Sequence, residues 1–373
     1  MDLINKQSYK SVGIITMHKV QNFGSVLQAF ALQYIINNFG LKVQLIDYIF
    51  PNAAHGKEKI SLLQRIKTFV GQKFNLTSGC VVLNKFDRFY KKYFSLSDRY
   101  LSIEEILSNP PKYDIYITGS DQVWNPNFIM KDTTFFLDFV SDGRKIAYAP
   151  SFGVSALENS YIDEIRPLLS QYYRLSCREK SGSMLIKDMI GEDVSVVLDP
   201  TLLISADQWN QLMNVKKEQN QKFVFLYIQK YSFDPSNKME RLLKRIKEKL
   251  NIKVYSTCTL PSSCDGLFTY IDDAGPLDFL YYIRNASFVI TASFHGTAFA
   301  VNYGKPFYSI ILSKDASDDR QLSFLRLIGL EDRALMLDDC IENIDFDFDD
   351  INVGHELSSL REKSIEYLKE ALS

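Results

Sequence analysis

Short apolar runs alternate with segments of helical spacing along almost the whole chain, and this alternation restricts the fold more than any other feature. A strand that leads into a helix and then into another strand builds parallel sheets with helices packed on their faces. In the first half, strands are predicted at 12–16, 43–47, 115–118, 145–149 and 174–177. Helices are predicted there at 25–39, 62–70, 102–107, 161–172 and 180–189, and a short strand at 194–198 leads into Asp199-Pro200. A polar stretch at 210–222 separates a second series, with strands at 223–228, 253–256, 288–291 and 307–311. Its helices are expected at 236–250, 276–285, 296–303 and 319–328, and 338–350 reads as an acidic, solvated loop. A chain of 373 residues exceeds what one core usually serves. The expectation is therefore an α/β protein of two Rossmann-like domains, 1–200 and 201–373, with a central cleft. The closing helical segment, 355–372, has the spacing to pack back on the N-terminal domain.

Charge and cysteine content narrow the function classes. A formal net charge of -2 gives no general attraction to nucleic acid, so an anionic ligand must be met by a local group of cations. The five cysteines (Cys80, Cys177, Cys258, Cys264 and Cys340) are odd in number and scattered, without a CxxC pair or Cys/His ligand spacing. Reduced thiols, a cytoplasmic location and no metal centre are expected. Residues 1–10 are too polar for a signal peptide, and no apolar run approaches the ~20 residues of a membrane span. Segment 57–70 sets Leu62, Leu63, Ile66 and Phe69 among lysines and an arginine. That pattern suits a helix lying on the inner face of a membrane, but better an ordinary surface helix packed on a core, the commoner use of such a face.

In parallel α/β sheets ligands gather beyond the carboxyl ends of the strands. The turns at 16–24, 118–125, 177–182 and 291–296 all follow predicted strands and are the site candidates. The last holds Ser293-Phe294-His295-Gly296-Thr297, where a strand gives way to a small-residue helix. Unpaired backbone N–H groups at such a helix start favour an anion, beside an imidazole able to exchange protons near neutral pH. Of the four histidines only His295 has this setting; its plain alternative is a partly buried helix cap. In Asn22-Phe23-Gly24, glycine permits close backbone approach and Asn22 can cap a helix or bind a ligand. Within 119–125, Asp121 can orient a hydroxyl or an imidazole, and Trp124 can stack on a sugar or fill a core. Arg178 offers a fork for carboxylate or phosphate and Lys180 a mobile charge, unless Glu179 claims them in a surface ion pair. Arg320, with Asp319, follows the last strand of the series. The pairs Asp318-Asp319 and Asp338-Asp339 lie in predicted loops and read as solvated.

Taken in order, these segments resemble the polysaccharide pyruvyl transferase family. The matching stretches are Asn22-Phe23-Gly24-Ser25-Val26-Leu27-Gln28, Gly119-Ser120-Asp121-Gln122-Val123-Trp124-Asn125, Arg178-Glu179-Lys180-Ser181-Gly182, Leu198-Asp199-Pro200-Thr201 and Ser293-Phe294-His295-Gly296-Thr297. The resemblance implies a GT-B-like arrangement and transfer of pyruvate from phosphoenolpyruvate onto two sugar hydroxyls as a cyclic ketal, without a cofactor. Its acceptor would be a sugar or oligosaccharide, free or lipid-linked, of an exopolysaccharide or capsule. It implies His295 as general acid/base, Arg178 and Lys180 on the phosphoenolpyruvate anion, and Asp121 orienting the acceptor or His295. Asn22 and Gly24 would line the N-terminal side, and Ser293 and Gly296 the histidine turn. Many members carry arginine where this chain has Ser293, and Arg320 is the candidate replacement. Two other readings stay open: a glycosyltransferase using a nucleotide sugar, marked at most by Asp272 and Asp273, and a catalytically silent carbohydrate-binding module.

Overall fold

The computed structural model describes residues 10–49, 77–217, 222–228, 236–311, 318–336, 344–346 and 352–373. The basic segment 57–70, His55, Cys340 and most of the acidic stretch 338–350 lie outside the described residues. The chain divides into two compact units. One comprises Met1–Lys59, Lys91–Leu203 and Glu362–Ser373, the other Ile60–Tyr90 and Ile204–Arg361.

The first unit is built on β1 (Ser11–Ile15), β2 (Lys42–Tyr48), β3 (Leu96–Tyr100), β4 (Ile115–Thr118) and β5 (Arg144–Ala147). Their spatial order is β3-β2-β1-β4-β5, and every neighbouring pair is parallel. Order reverses between β1 and β4, which leaves a crevice at their carboxyl ends where ligands of such sheets bind. Helix α1 (Phe23–Asn38) starts at that reversal. It is apolar around almost its whole circumference, as a helix enclosed on all sides must be. A short parallel pair, β6 (Ser176–Cys177) and β7 (Ser195–Val196), flanks α2 (Lys180–Ile190), whose left-handed Gly191 ends the helix. The terminal segment belongs to this unit: Ser364 Oγ accepts the Leu198 N–H at 3.0 Å, and Tyr367 donates to the Ala147 carbonyl at 3.1 Å.

The second unit repeats the plan. Strands β8 (Phe223–Tyr227), β9 (Lys253–Ser256), β10 (Thr269–Tyr270), β11 (Phe288–Thr291), β12 (Phe307–Ile311) and β13 (Ala334–Met336) form one sheet in the order β10-β9-β8-β11-β12-β13. All its pairs are parallel, and the reversal falls between β8 and β11. From β11 the chain turns into α3 (Phe294–Asn302), and α4 (Arg320–Leu327) follows β12.

Three strands, β3, β10 and β13, are not predicted from the sequence. They lie toward the sheet edges and are short, and Leu-Ser-Asp-Arg-Tyr in β3 carries no apolar run. The predicted strand 145–149 ends two residues early, because Ala149 takes a left-handed φ of 53° that no ladder accommodates.

At the carboxyl end of β2, Asp47 is buried and surrounded by bases. Oδ1 lies 3.3 Å from His18 Nε2, while Oδ2 accepts from Lys19 Nζ at 2.7 Å and Arg99 Nε at 3.0 Å. Burial alone would raise its pKa, but these three hydrogen bonds together outweigh it and hold the carboxyl well below the usual range. A folded-state pKa below the unfolded value means stabilisation that is present above about pH 4 and is lost as pH falls toward the folded value. Asp47→Asn should therefore cost about 3 kcal/mol at pH 7. In urea melts at pH 7, 5 and 3 the gap between wild type and variant should stay constant from pH 7 to 5 and narrow at pH 3.

Candidate active site

On the first unit, polar side chains converge where β1 and β4 separate. Thr16, just past β1, donates through Oγ1 to the Ser120 carbonyl at 2.9 Å, and Gln28 Nε2 donates to that Oγ1 at 2.9 Å. Asn22 caps α1, its side chain accepting the Ser25 N–H at 3.2 Å, and Gly24 is buried in the first turn. Ser25 Oγ donates to the Asp121 carboxylate. Asp121 holds a left-handed φ of 76°, a conformation that costs a non-glycine residue about 1 kcal/mol or more. Its carboxylate also accepts the Gln122 N–H at 2.9 Å, and its carbonyl the Ser151 N–H at 2.8 Å. The strained backbone is thus fixed from both sides.

Arg178 arrives from the end of β6 and is buried. Nη1 donates to Asp199 Oδ2 at 2.9 Å; Nη2 stands 3.8 Å from Asp121 Oδ1 and Nε 3.9 Å from Glu179 Oε2. Asp199 accepts Ser120 Oγ at 2.9 Å on the same oxygen, and Thr201 N and Oγ1 at 3.0 and 2.8 Å on the other. Glu179 accepts the Phe152 N–H at 3.0 Å. The neighbouring Cys177 is no nucleophile at neutral pH: burial, and then the negative charge of Glu179, push its thiol well above the usual value.

Sequence reasoning placed Asp121 and Arg178 in one locus, and the structure brings them together. The Arg178–Glu179 pair is buried, however, and the surface ion pair weighed from sequence is not what forms. Lys180 is exposed at the first position of α2. Trp124 gives way to its alternative reading. Its indole is fully buried, stacked on Phe136 with centroids 5.2 Å apart, and Nε1 donates to the Phe135 carbonyl at 3.3 Å, so no face is left for a sugar. Ser25, Ser120, Glu179 and Asp199 are members that individual sequence reading missed. Their signal was position, since each follows a strand end or opens a helix on the same sheet edge.

On the second unit, the separation of β8 and β11 places His295 in the first turn of α3, buried at 4 % exposure and edge-on to Phe294. Thr291 Oγ1 ties the turn, donating to the Tyr227 carbonyl at 2.8 Å and accepting the Ser293 N–H at 3.0 Å. Ser293 is the helix N-cap residue, but its side chain makes no capping hydrogen bond. Beneath the turn, Thr297 Oγ1 donates to the Ser293 carbonyl at 3.1 Å and lies 2.8 Å from Ser309 Oγ, which accepts Gln321 Nε2 at 2.7 Å. Arg320 does not present an open fork: Nε and Nη2 reach the two oxygens of Asp318 at 2.7 and 2.5 Å. Asp273 receives Lys85 at 2.9 Å and Asp272 receives Ser78, contacts that tie both to the helix Ser78–Tyr93. Among the described residues, no group of three His, Cys, Asp or Glu could hold a metal ion, and no helix is long and apolar enough to cross a membrane.

Gly296 is required by space. A Cβ there would collide with Thr291 Oγ1, lie 2.8 Å from Thr291 Cβ and 3.0 Å from the Tyr227 ring. Gly296→Ala should therefore cost about 1–3 kcal/mol of stability through overpacking. The check is a denaturant melt of this variant beside Gly191→Ala, whose Cβ meets no atom but whose φ of 77° adds backbone strain alone.

The fold is shared with nucleotide-sugar enzymes of known structure. A UDP-N-acetylglucosamine 2-epimerase from Rickettsia bellii superposes with a TM-score of 0.52 at 11% identity, covering 97% of this chain and 96% of its own. MnaA of S. aureus, in a co-structure with UDP, gives 0.50 at 12% identity and 97% coverage of both chains. At such identities the likeness shows the fold alone, an α/β fold of GT-B type with parallel sheets. No curated protein sequence matches the chain. The sequence profile of the polysaccharide pyruvyl transferases does match, over residues 22–313, from the α1 cap to just beyond β12. This chain belongs to the polysaccharide pyruvyl transferase family.

Proposed function

We propose that the protein moves pyruvate from phosphoenolpyruvate onto two hydroxyls of a sugar, in a polysaccharide or its precursor, closing a cyclic ketal. The observation that carries this reading is His295 in the first turn of α3 at the β8/β11 reversal, within a chain of this family. A proton-exchanging ring and the N–H groups of a helix start together suit a substrate that is anionic and must be protonated.

The chemistry balances without a cofactor. C3 of the enol gains a proton and C2 becomes electrophilic. The first sugar hydroxyl adds to C2 and gives up its proton; the C2–O bond to phosphate breaks; the second hydroxyl closes the ring. Of the two hydroxyl protons, one replaces that delivered to C3 and the other leaves with phosphate. His295 would give the proton to C3 and take one from a hydroxyl. Arg178, anchored through Nη1 to Asp199, would meet the donor anion, with Lys180 assisting. An anion reaching Arg178 must compete with Asp121 and Glu179 for its other nitrogens, whereas sugar hydroxyls can donate to those same carboxylates. Asp121 and Ser25 are accordingly assigned to the acceptor.

Phosphate release from phosphoenolpyruvate, measured across a panel of sugar acceptors, tests the proposal. Release should depend on acceptor. His295→Ala should slow it by about 10²–10⁴-fold in a protein that melts like wild type. Because removing the buried Arg178 endangers folding, Arg178→Lys serves as its partner variant and should raise the KM for phosphoenolpyruvate. No release with any acceptor and no binding of phosphoenolpyruvate would overturn the donor, and release that His295→Ala leaves unchanged would overturn the role of His295.

A further inference from the structure

The Asp47 cluster stands on the opposite flank of the first sheet from Arg178. It joins the carboxyl ends of β1, β2 and β3, whereas Arg178 and Asp121 gather on the β1–β4 side. Among the described residues, Lys19 and Arg99 both point at one oxygen of Asp47, so two cations stand side by side on a single buried carboxylate. Like charges held this close repel, and a second anion placed against both would relieve the repulsion. Donor capacity remains for it. Asp47 takes only Nε of Arg99, whose side chain is 57% exposed, and one of the three donors of Lys19. Lys19 itself is only 15% exposed, so its ammonium is fixed in advance rather than waving in solvent. Arg99 also lines a surface hollow with Asp98 and Glu105, so an anion would be met where Lys19 and Arg99 adjoin and not at the arginine alone.

We infer that Lys19 and Arg99, positioned by Asp47, form an anion subsite that takes a phosphate or carboxylate group carried by the sugar acceptor. The phosphate or carboxylate chemistry follows from the two cations; its assignment to the acceptor rests on the pyruvyl-transfer reading. A guanidinium edge beside an ammonium suits either group. The full-length protein would be titrated with inorganic pyrophosphate, glucuronate and, as neutral control, glucose, following binding calorimetrically at two salt concentrations. Binding of pyrophosphate or glucuronate, weakened by salt and reduced about tenfold by Lys19→Met or Arg99→Gln, is expected, and the preferred probe identifies the source of the charge. Both variants keep the side-chain stem, and melts at pH 7 confirm that they fold. Binding that neither variant changes, or the absence of binding by both anions, overturns the subsite. In the phosphate-release assay the same variants should raise the KM for a charged acceptor and leave that for phosphoenolpyruvate unchanged. Unaltered acceptor KM would remove the acceptor assignment. Because the titration needs no turnover, failure of pyruvyl transfer itself would be seen separately.

Discussion

Four hydrogen bonds end on the carboxylate of Asp199, from Ser120 Oγ, Arg178 Nη1, and the Thr201 N–H and hydroxyl. This fully buried group fastens the loop after β4 to the end of β6 and to the start of the short helix Pro200–Leu203. Removing one partner of such a pair strands a charge away from water, a loss of about 3–5 kcal/mol. Everything else on that edge is set by it. With Arg178 pinned, Asp121 and Glu179 have a cation to face, and with Ser120 pinned its carbonyl is placed for Thr16.

The two units meet charge in opposite ways. The first gathers three buried carboxylates, those of Asp121, Glu179 and Asp199, about the one guanidinium of Arg178. The second meets its ligand crevice with backbone N–H groups and a histidine, supported by uncharged hydroxyls from Thr291, Thr297 and Ser309. Hydroxyls of this kind hold a turn without adding charge, beside the positive end of the helix dipole.

Both sheets and the His295 turn were legible in the sequence because their signals are local. A parallel core strand reads as an apolar run, and the run ending at Ala292, with small residues from Gly296 onward, reads as a strand giving way to a helix. Edge strands such as β3 escaped because a strand with one partner needs no apolar run. Which charges pair inside the turns was not legible. A surface pair of the adjacent Arg178 and Glu179 was the alternative the sequence offered, yet both are buried and Arg178 is bonded to Asp199, 21 residues on. Trp124 looked like a stacking platform because it sits in a polar loop, and only the packing of Phe136 and Phe152 shows it as core. The partner of Arg320 was hidden likewise: the acid two residues before it, Asp318, takes its Nε and Nη2. The family resemblance located the right loops, while the contacts within them came from the fold.

The enclosure of α1 has a consequence for how the first unit receives a ligand. Wrapped by protein on nearly every side, the helix cannot shift or unwind to adapt, and the cap at Asn22 and the side chains of Ser25 and Gln28 are held with it. A ligand docking on that edge finds its partners already ordered and gives up little conformational entropy on their behalf. Discrimination there rests on fixed shape, so a ligand whose polar groups do not match those positions is refused by misfit, without any rearrangement of the protein.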